Sequence, residues 1–340
     1  MLVVYSKNKQ SGGNGMEHSE ELKEFITNYE LLRKKYKWRV DTGALMMIAS
    51  LFTGDNKPFN LDRYSELVNF IKQESNPFAY IQSTLRFSLA GLLLNQSDHP
   101  EESYKQVQHC YDLLIEAGFQ RSPHTYIAAY ALSLSIKQGE ESADHVERAK
   151  KMYDGMKKKH FFLTSHEDYP LAVLLAEAGS DGDKMLEDMA YYYDELHLVL
   201  WKGNNRQFLS QILTYGKREN KEILVQNTVT WMDDLKTQKF RLRGLHLPIV
   251  GVLSLVATPS VLLPKIKEVY DELSSYSKFK WYKDQCFMIA VRLVIQREIS
   301  ENRVLDVGLA ATVESILQAQ QAAMIATMTA AVDANSSNDG

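Results

Sequence analysis

Aromatic and aliphatic positions recur along the chain at an interval near 40 residues. Four segments contain Tyr-Asp with an aliphatic residue or Met three positions after the tyrosine, at 111–114, 153–156, 193–196 and 270–273. A degenerate copy ends at Leu235, so the aliphatic positions from Leu114 to Leu273 are separated by 42, 40, 39 and 38 residues. Self-similarity at such a period is typical of helical repeat proteins.

Each repeat contains two hydrophobic patterns in a fixed order. An amphipathic segment with one apolar stripe ends at the Tyr-Asp block, and a segment that is apolar nearly all round follows after a turn. The apolar segments lie at 44–52, 127–136, 171–176, 208–213, 249–257 and 287–295. A helix that is apolar on every side must be covered on every side. We therefore predict an all-α fold, a right-handed α-solenoid of about seven helical hairpins in which neighbouring hairpins complete each other's core.

The two ends of the chain lack this repeat. Residues 1–15 are mostly polar and Gly-rich, so we expect a disordered N-terminal extension, with Met16 as an alternative translation start. The solenoid is predicted over 16–299. The Ala-rich and Gln-rich segment 300–331 predicts C-terminal capping helices, and whether its last part docks on its own chain or on another stays open. Residues 332–340 are expected to form a disordered tail.

The charge balance is slightly acidic, with 39 Lys and Arg against 43 Asp and Glu and a net charge of −4. This argues against a non-specific binder of nucleic acid or anionic membranes, although it leaves room for a local basic patch. The longest apolar run, 245–264, contains three prolines. We interpret it as a helix from Pro248, a turn at 258–259 and a second helix after Pro264, rather than as a membrane span. We expect a soluble, cytoplasmic protein.

Familiar catalytic motifs are absent from the sequence. It contains no GxSxG, no HExxH and no phosphate-binding glycine loop, and its nine His residues do not stand at metal-ligand spacing. Cys110 and Cys286 are interpreted as small buried hydrophobes. Basic clusters at 33–37 and 157–160 are interpreted as solvated ends of the first helices, where cations favour the helix dipole. We expect no metal and no cofactor.

One polar pattern follows the repeat. His124, His166 and Arg206 each lie five positions after the aromatic residue of the turn, and His246 lies six positions after Phe240. Equivalent positions in stacked hairpins form a row along one edge, and Tyr126 and Asp168 stand beside this row in the sequence. Such a row predicts a site for a carboxylate, a phosphate or an extended peptide. Alternatively, these polar residues only cap the second helices.

Two resemblances to known families accompany the repeat. The segment 111–119, followed by Thr125 and Tyr126, resembles a single pentatricopeptide repeat, and that family implies binding of single-stranded RNA at one base per repeat. The likeness is confined to this unit, the period here is longer, and we expect no nucleic-acid partner.

From about Met16 to Met328 the chain is similar to an all-helical family of Gram-positive bacteria that is known only as a domain of unknown function. The likeness is carried by Trp38-Arg-Val, Met46-Met-Ile-Ala-Ser-Leu, the run 160–176, Phe208-Leu-Ser and Gln318-Ala-Gln-Gln-Ala-Ala-Met-Ile. The resemblance implies a bacterial protein and no particular chemistry.

These patterns favour an interaction protein over an enzyme. Because a solenoid exposes an extended surface, we expect a non-enzymatic scaffold that binds a protein or peptide on its concave side. The alternative is an enzyme or sensor that binds a small anionic molecule at the edge formed by His124, His166 and Arg206. The partner's identity and the oligomeric state are left open.

Overall fold

The computed structural model describes residues 13–54, 58–77, 79–136, 141–159, 163–178, 181–216, 220–300, 313–314 and 316–317. Within these ranges the chain forms fourteen α-helices and no strand, so the all-α prediction is confirmed. The helices are α1 Gly13–Tyr36, α2 Thr42–Leu51, α3 Leu61–Glu74, α4 Leu85–Gln96, α5 Pro100–Glu116, α6 Pro123–Ser135, α7 Ser142–Lys159, α8 Tyr169–Ala178, α9 Gly182–Glu195, α10 Asn204–Leu213, α11 Lys221–Thr237, α12 Leu247–Val256, α13 Pro259–Ser275 and α14 Lys283–Ser300. None of these helices is both long and apolar enough to cross a bilayer.

Local sequence explains where helices begin and end. Helix α6 begins at Pro123, and the side chain of Ser122 accepts a hydrogen bond from the N–H of Thr125 at 3.1 Å. Gly118 ends the preceding helix with φ of 90°, which lets the N–H of Phe119 donate to the carbonyl of Leu114 at 3.0 Å. Three helix pairs later Lys239 takes a φ of 65°, and the N–H of Phe240 donates to the carbonyl of Leu235 at 2.9 Å. The same turn thus recurs at equivalent positions of the sequence pattern.

The helices pack as successive antiparallel pairs. Each odd-numbered helix, here called a first helix, contacts the even-numbered second helix that follows it. Short connections join the two, and two contacting helices joined by a short loop run in opposite directions. Second helices also contact one another, α2 with α4, α6 with α8, α8 with α10, α10 with α12 and α12 with α14. Since they are buried along most of their length, the second helices form the core.

The last pair packs against the first. Helix α14 contacts α2, and the ring of Phe279, in the α13–α14 connection, lies 5.5 Å from that of Phe25 and 4.9 Å from that of Tyr29, both in α1. Lys278 forms an ion pair with Glu30 at 2.5 Å. The series of contacts between second helices therefore returns to its starting point at α2.

The amino-terminal ends of the second helices gather at one end of the molecule. Side chains at the starts of α6 and α8 meet where the His124 and His166 rings lie 5.3 Å apart. Arg243, before α12, pairs with Asp284 of α14 at 2.7 Å. We call this end the loop face; it comprises the connections from first to second helices, at 37–41, 75–77, 79–84, 117–122, 163–168, 196–203, 238–246 and 276–282.

Two details differ from the sequence predictions. Helix α13 begins at Pro259 and contains Pro264, so the predicted helix start after Pro264 is wrong. Pro259 occupies the first helical turn, where the missing N–H of proline costs no helical hydrogen bond. The helix therefore begins at Pro259 rather than after Pro264. Helix α1 begins at Gly13, three residues before Met16. Residues 1–12 and the tail at 332–340 lie outside the described residues.

Of the predicted capping segment, 300–331, five residues are described and all are helical: Ser300 at the end of α14, and the four residues 313–314 and 316–317. Val313 and Ile316 are completely buried in the main core. Burial, and then the negative charge of Glu314, raise the pKa of Tyr130 in α6 above its usual value. This part of the C-terminal segment therefore lies beside α6.

Candidate functional site

The six residues predicted from the repeat pattern lie at or near the amino-terminal ends of four second helices. His124 and Tyr126 belong to α6, His166 and Asp168 to the 3-10 turn before α8, Arg206 to α10 and His246 to the 3-10 turn before α12. Five of these side chains are buried, while His166 is exposed. The structure therefore places them in the floor of the loop face rather than in a solvent-facing row.

His124 and His166 are in contact across the α6–α8 boundary. Burial, and then the nearby His166, lower the pKa of His124 to about 4, so its imidazole is neutral at physiological pH. The Nδ1 atom of His124 is buried and has no hydrogen-bond partner in the described part of the chain.

Asp168 is the centre of a buried polar network. Its carboxylate accepts hydrogen bonds from Gln211 Nε2 at 2.7 Å, from the Ser165 N–H at 2.8 Å and from Gln207 Nε2 at 3.4 Å. Gln207 Nε2 also donates to Thr164 Oγ1 at 3.0 Å. Burial raises the pKa of Asp168, and these hydrogen bonds oppose the rise. Gln207 and Gln211 were not among the predicted residues; their spacing of four on the mostly buried α10 is the signal that places both on one helix face.

Arg206 carries a buried charge that no acidic side chain balances. It is 3% exposed, and its guanidinium carbon lies 4.0 Å from the centre of the Tyr193 ring. Among the described residues no carboxylate forms an ion pair with it, and its Nε atom has no hydrogen-bond partner. Arg206 is therefore held by packing and by a cation–π contact.

His246 and Tyr126 have separate environments. His246 Nδ1 accepts from the Arg243 N–H at 3.0 Å, and its Nε2 lies 3.5 Å from Asp284 Oδ1. Burial lowers the pKa of His246, and the carboxylate of Asp284 opposes that change. Tyr126 stacks on Tyr111 at 3.9 Å between ring centres. The structure therefore brings His124 into contact with His166 and places Asp168 within hydrogen-bonding distance of Gln207 and Gln211. The other three predicted residues, Arg206, His246 and Tyr126, make separate contacts.

The chemistry of this floor is that of hydrogen bonding. Within the described ranges no group of three or more His, Cys, Asp or Glu side chains is placed to hold a metal ion. Both cysteines are buried, which raises the pKa of Cys110 to about 12 and that of Cys286 to about 11, so neither is activated as a thiolate.

The surface of the loop face differs strongly from its floor. Trp38, Trp201 and Trp281 are 88%, 95% and 82% exposed, and each lies in a connection between a first and a second helix. Three further exposed apolar residues lie in the same set of connections, Tyr80, Leu198 and Leu245. These six are the majority of the ten large apolar side chains that are exposed in the described part of the chain.

Comparison with known proteins places the chain in a family. The sequence profile described as "Protein of unknown function (DUF4003)" matches residues 28–322. The chain belongs to the DUF4003 family. A relative of this DUF4003 protein, "Uncharacterized protein YeaA" of Bacillus subtilis (strain 168), is 28% identical over 324 residues, which cover 94% of this chain and 98% of the relative. No solved structure matches the chain. Membership in DUF4003 confirms the family resemblance and assigns no chemistry to the loop face.

Proposed function

We propose that this protein is a non-enzymatic binding protein and that the loop face is its binding surface. The observation that carries the proposal is the almost complete exposure of Trp38, Trp201 and Trp281 at one end of the molecule. Tryptophan is ordinarily largely buried in a monomeric protein, and clustered exposed apolar side chains mark interaction surfaces. Trp is also the residue type most enriched among those that dominate binding energy.

The repeat pattern supplies the architecture for this surface. The fourteen helices of the described part of the chain form seven successive antiparallel pairs, and α14 of the last pair contacts α2 of the first. If the pairs are copies of one helical hairpin with a common direction, as the sequence period predicts, every first-to-second connection ends on the same face. The recurring turn at Gly118 and Lys239 supports this equivalence of the copies.

A protein or peptide partner on the concave side of a solenoid stays a prediction. It rests on the extended surface that a solenoid exposes. The argument from the exposed tryptophans does not depend on the shape of the stack.

Hydroxyl-radical footprinting tests whether the loop face is covered in the cell. We expect Trp38, Trp201 and Trp281 to be oxidised several-fold more slowly in intact bacterial cells that contain the full chain than in the purified protein. A bound partner would exclude the reagent from these side chains. Mass spectrometry of the oxidised peptides measures each rate.

The opposite end of the molecule supplies the control. Leu134, Ile223 and Val261 are also exposed, at 45%, 67% and 44%, and lie at the far ends of α6, α11 and α13. Their oxidation is expected to be equal in cells and in buffer. Equal rates for the three tryptophans as well would contradict the proposal.

A second candidate is favoured by Arg206. A buried guanidinium without an acidic partner is costly unless something balances it, so we also propose that a small anion binds beside it. The site is at the start of α10, where the helix dipole favours negative charge.

A further inference from the structure

The connections of the loop face are strongly basic, although the protein as a whole is acidic. In sequence, the seven connections from a first to a second helix contain nine Lys or Arg and three Asp or Glu. The described residues of the connections from a second helix to the following first helix contain three Asp or Glu, at Asp98, Glu141 and Asp181, and no Lys or Arg. All nine basic residues of the loop face are exposed, whereas Asp168 is buried, which leaves Asp41 and Glu167 as the exposed acids. The surface of this face therefore attracts anions.

Basic side chains stand directly beside the exposed tryptophans. The ammonium group of Lys37 lies 5.0 Å from the centre of the Trp38 ring, and that of Lys280 lies 5.2 Å from the Trp281 ring. Lys202 follows Trp201 in the chain and is exposed. An indole ring and an ammonium group side by side match the boundary of a lipid bilayer, where Trp prefers the headgroup level and Lys meets anionic lipids.

The tryptophans come from different sectors of the molecule. Trp38 belongs to the first pair, Trp201 to the fifth and Trp281 to the seventh. Side chains that project from separate loops on one end touch a broad surface together, whereas a nucleic-acid strand follows a continuous groove with successive stacking platforms. A bilayer offers such a broad surface with both apolar and anionic character.

Resting on the proposed role of the loop face, we infer that its partner is an anionic membrane surface, on which the protein docks peripherally through Trp38, Trp201, Trp281 and the neighbouring Lys and Arg side chains. Because the protein carries a net charge of −4, an anionic membrane repels its other surfaces, and this favours the orientation in which the loop face meets the membrane. The headgroups pair with the basic residues, and the indole rings enter the interface between headgroups and acyl chains. No helix needs to cross the bilayer in this arrangement.

Co-sedimentation of the purified full chain with vesicles tests the inference. Vesicles of phosphatidylcholine alone are compared with vesicles that contain about one third phosphatidylglycerol, at about 0.1 M and about 1 M salt. We expect sedimentation with the anionic vesicles at the lower salt, loss of binding at the higher salt and no binding to pure phosphatidylcholine. Brominated lipids are expected to quench the tryptophan fluorescence of the bound protein.

Two matched triple variants identify the surface. Trp38→Ala with Trp201→Ala and Trp281→Ala is expected to lower the affinity for anionic vesicles by about tenfold or more. Leu134→Ala with Ile223→Ala and Val261→Ala removes exposed apolar groups from the opposite end and is expected to leave the affinity unchanged. Circular dichroism of both variants verifies that the helices are intact.

Several results would overturn the inference. These are absence of binding to anionic vesicles, equal binding to phosphatidylcholine, and an equal loss in both variants. Protection of the tryptophans in cells without vesicle binding would also overturn it, while leaving the loop face as a binding surface for a protein or a nucleic acid. A parallel titration with single-stranded RNA distinguishes those two partners. Unprotected tryptophans in cells would instead contradict the proposed function itself.

Discussion

Two carboxylates near opposite ends of α8, one partly buried and one buried, are stabilised in different ways. Glu177, near the carboxyl-terminal end, accepts hydrogen bonds from Arg148 at 3.0 Å and lies 2.7 Å from His145 Nδ1, so the Arg148 guanidinium balances its charge. Asp168, before the amino-terminal end, has only neutral donors from Gln211, Gln207 and the Ser165 backbone. The positive charge of the same end, on Arg206, is held by an aromatic ring instead.

The difference shows how the two ends of the molecule hold charge. The Glu177 cluster follows the usual rule that charges removed from water are paired. The floor of the loop face departs from this rule, since Gln207 Oε1, Gln211 Oε1 and Arg206 Nε are buried without hydrogen-bond partners among the described residues. Folded proteins satisfy nearly all such groups. These three atoms lie at the end that carries the exposed tryptophans, while Tyr215 Oη, also without a described partner, is buried at the other end.

The largest effect is expected from removing the centre of the neutral network. Asp168→Ala leaves the amide donor of Gln211 and the Ser165 N–H without their acceptor, while Gln207 keeps Thr164, so we expect a loss of about 2 kcal/mol in the free energy of unfolding. Urea denaturation measures it. Asp154→Ala removes an exposed carboxylate from the neighbouring α7 and is expected to change stability by less than about 0.5 kcal/mol.

The same variant predicts a difference in pH dependence. Because the pKa of Asp168 is raised above its usual value of 3.8, the folded protein binds a proton there at a higher pH than the unfolded chain does. The free energy of unfolding of the wild type, relative to that of Asp168→Ala, therefore increases as the pH falls from 7 through the raised pKa toward 3.8. If the difference in the free energy of unfolding between the two proteins narrowed on acidification, the folded protein would instead stabilise the charged form of Asp168, as a salt bridge does.

Smaller changes in the free energy of unfolding, of opposite sign, are expected for substitution of Arg206 at the loop face and of Arg148 at the opposite end. Arg206→Met removes a buried N–H without a partner at the expense of a cation–π contact, so we expect a gain of up to about 1 kcal/mol in the free energy of unfolding. Arg148→Met removes a half-exposed partner of Glu177 and is expected to cost about 1 kcal/mol.

Inorganic phosphate then tests the anion site beside Arg206. Phosphate is expected to raise the melting temperature of the wild type and of Arg148→Met, and not that of Arg206→Met. Destabilisation of Arg206→Met beyond that of Arg148→Met, with unchanged phosphate response, would make Arg206 a purely structural residue.

The sequence predicted the helices more completely than it predicted the contacts of the candidate site. Period and apolar patterning located the second helices, and Ser122 with Pro123 marked the start of α6 as observed. The contact of α14 with α2 has no local signal, because residues some 240 positions apart meet only when all the crossing angles between pairs have accumulated. For the same reason the sequence could assign Asp168 to a helix start, whereas its hydrogen bond with Gln211 depends on how α8 and α10 pack.

Trp201 shows a second limit of the sequence pattern. Its position matches that of Phe119 in the repeat, and Phe119 is buried against Tyr153 and Tyr169. In the connection that contains Trp201, Val199 and Leu200 pack against the core, whereas the Trp201 indole is 95% exposed and remains in solvent. Equal spacing in the sequence therefore predicted the same role for Phe119 and Trp201, whereas in the structure Phe119 is buried and Trp201 is exposed.

A double-mutant cycle between Phe25 and Phe279 tests most directly whether the first and last pairs are joined, on which the common loop face depends. Both rings are completely buried, and their centres are 5.5 Å apart. Phe25→Leu, Phe279→Leu and the double variant are compared by urea denaturation of the full chain. We predict a coupling free energy of about 1 kcal/mol, as found for aromatic pairs in contact. Additive effects of the two substitutions, within about 0.3 kcal/mol, would mean that the ends do not meet in solution and would contradict the closed arrangement.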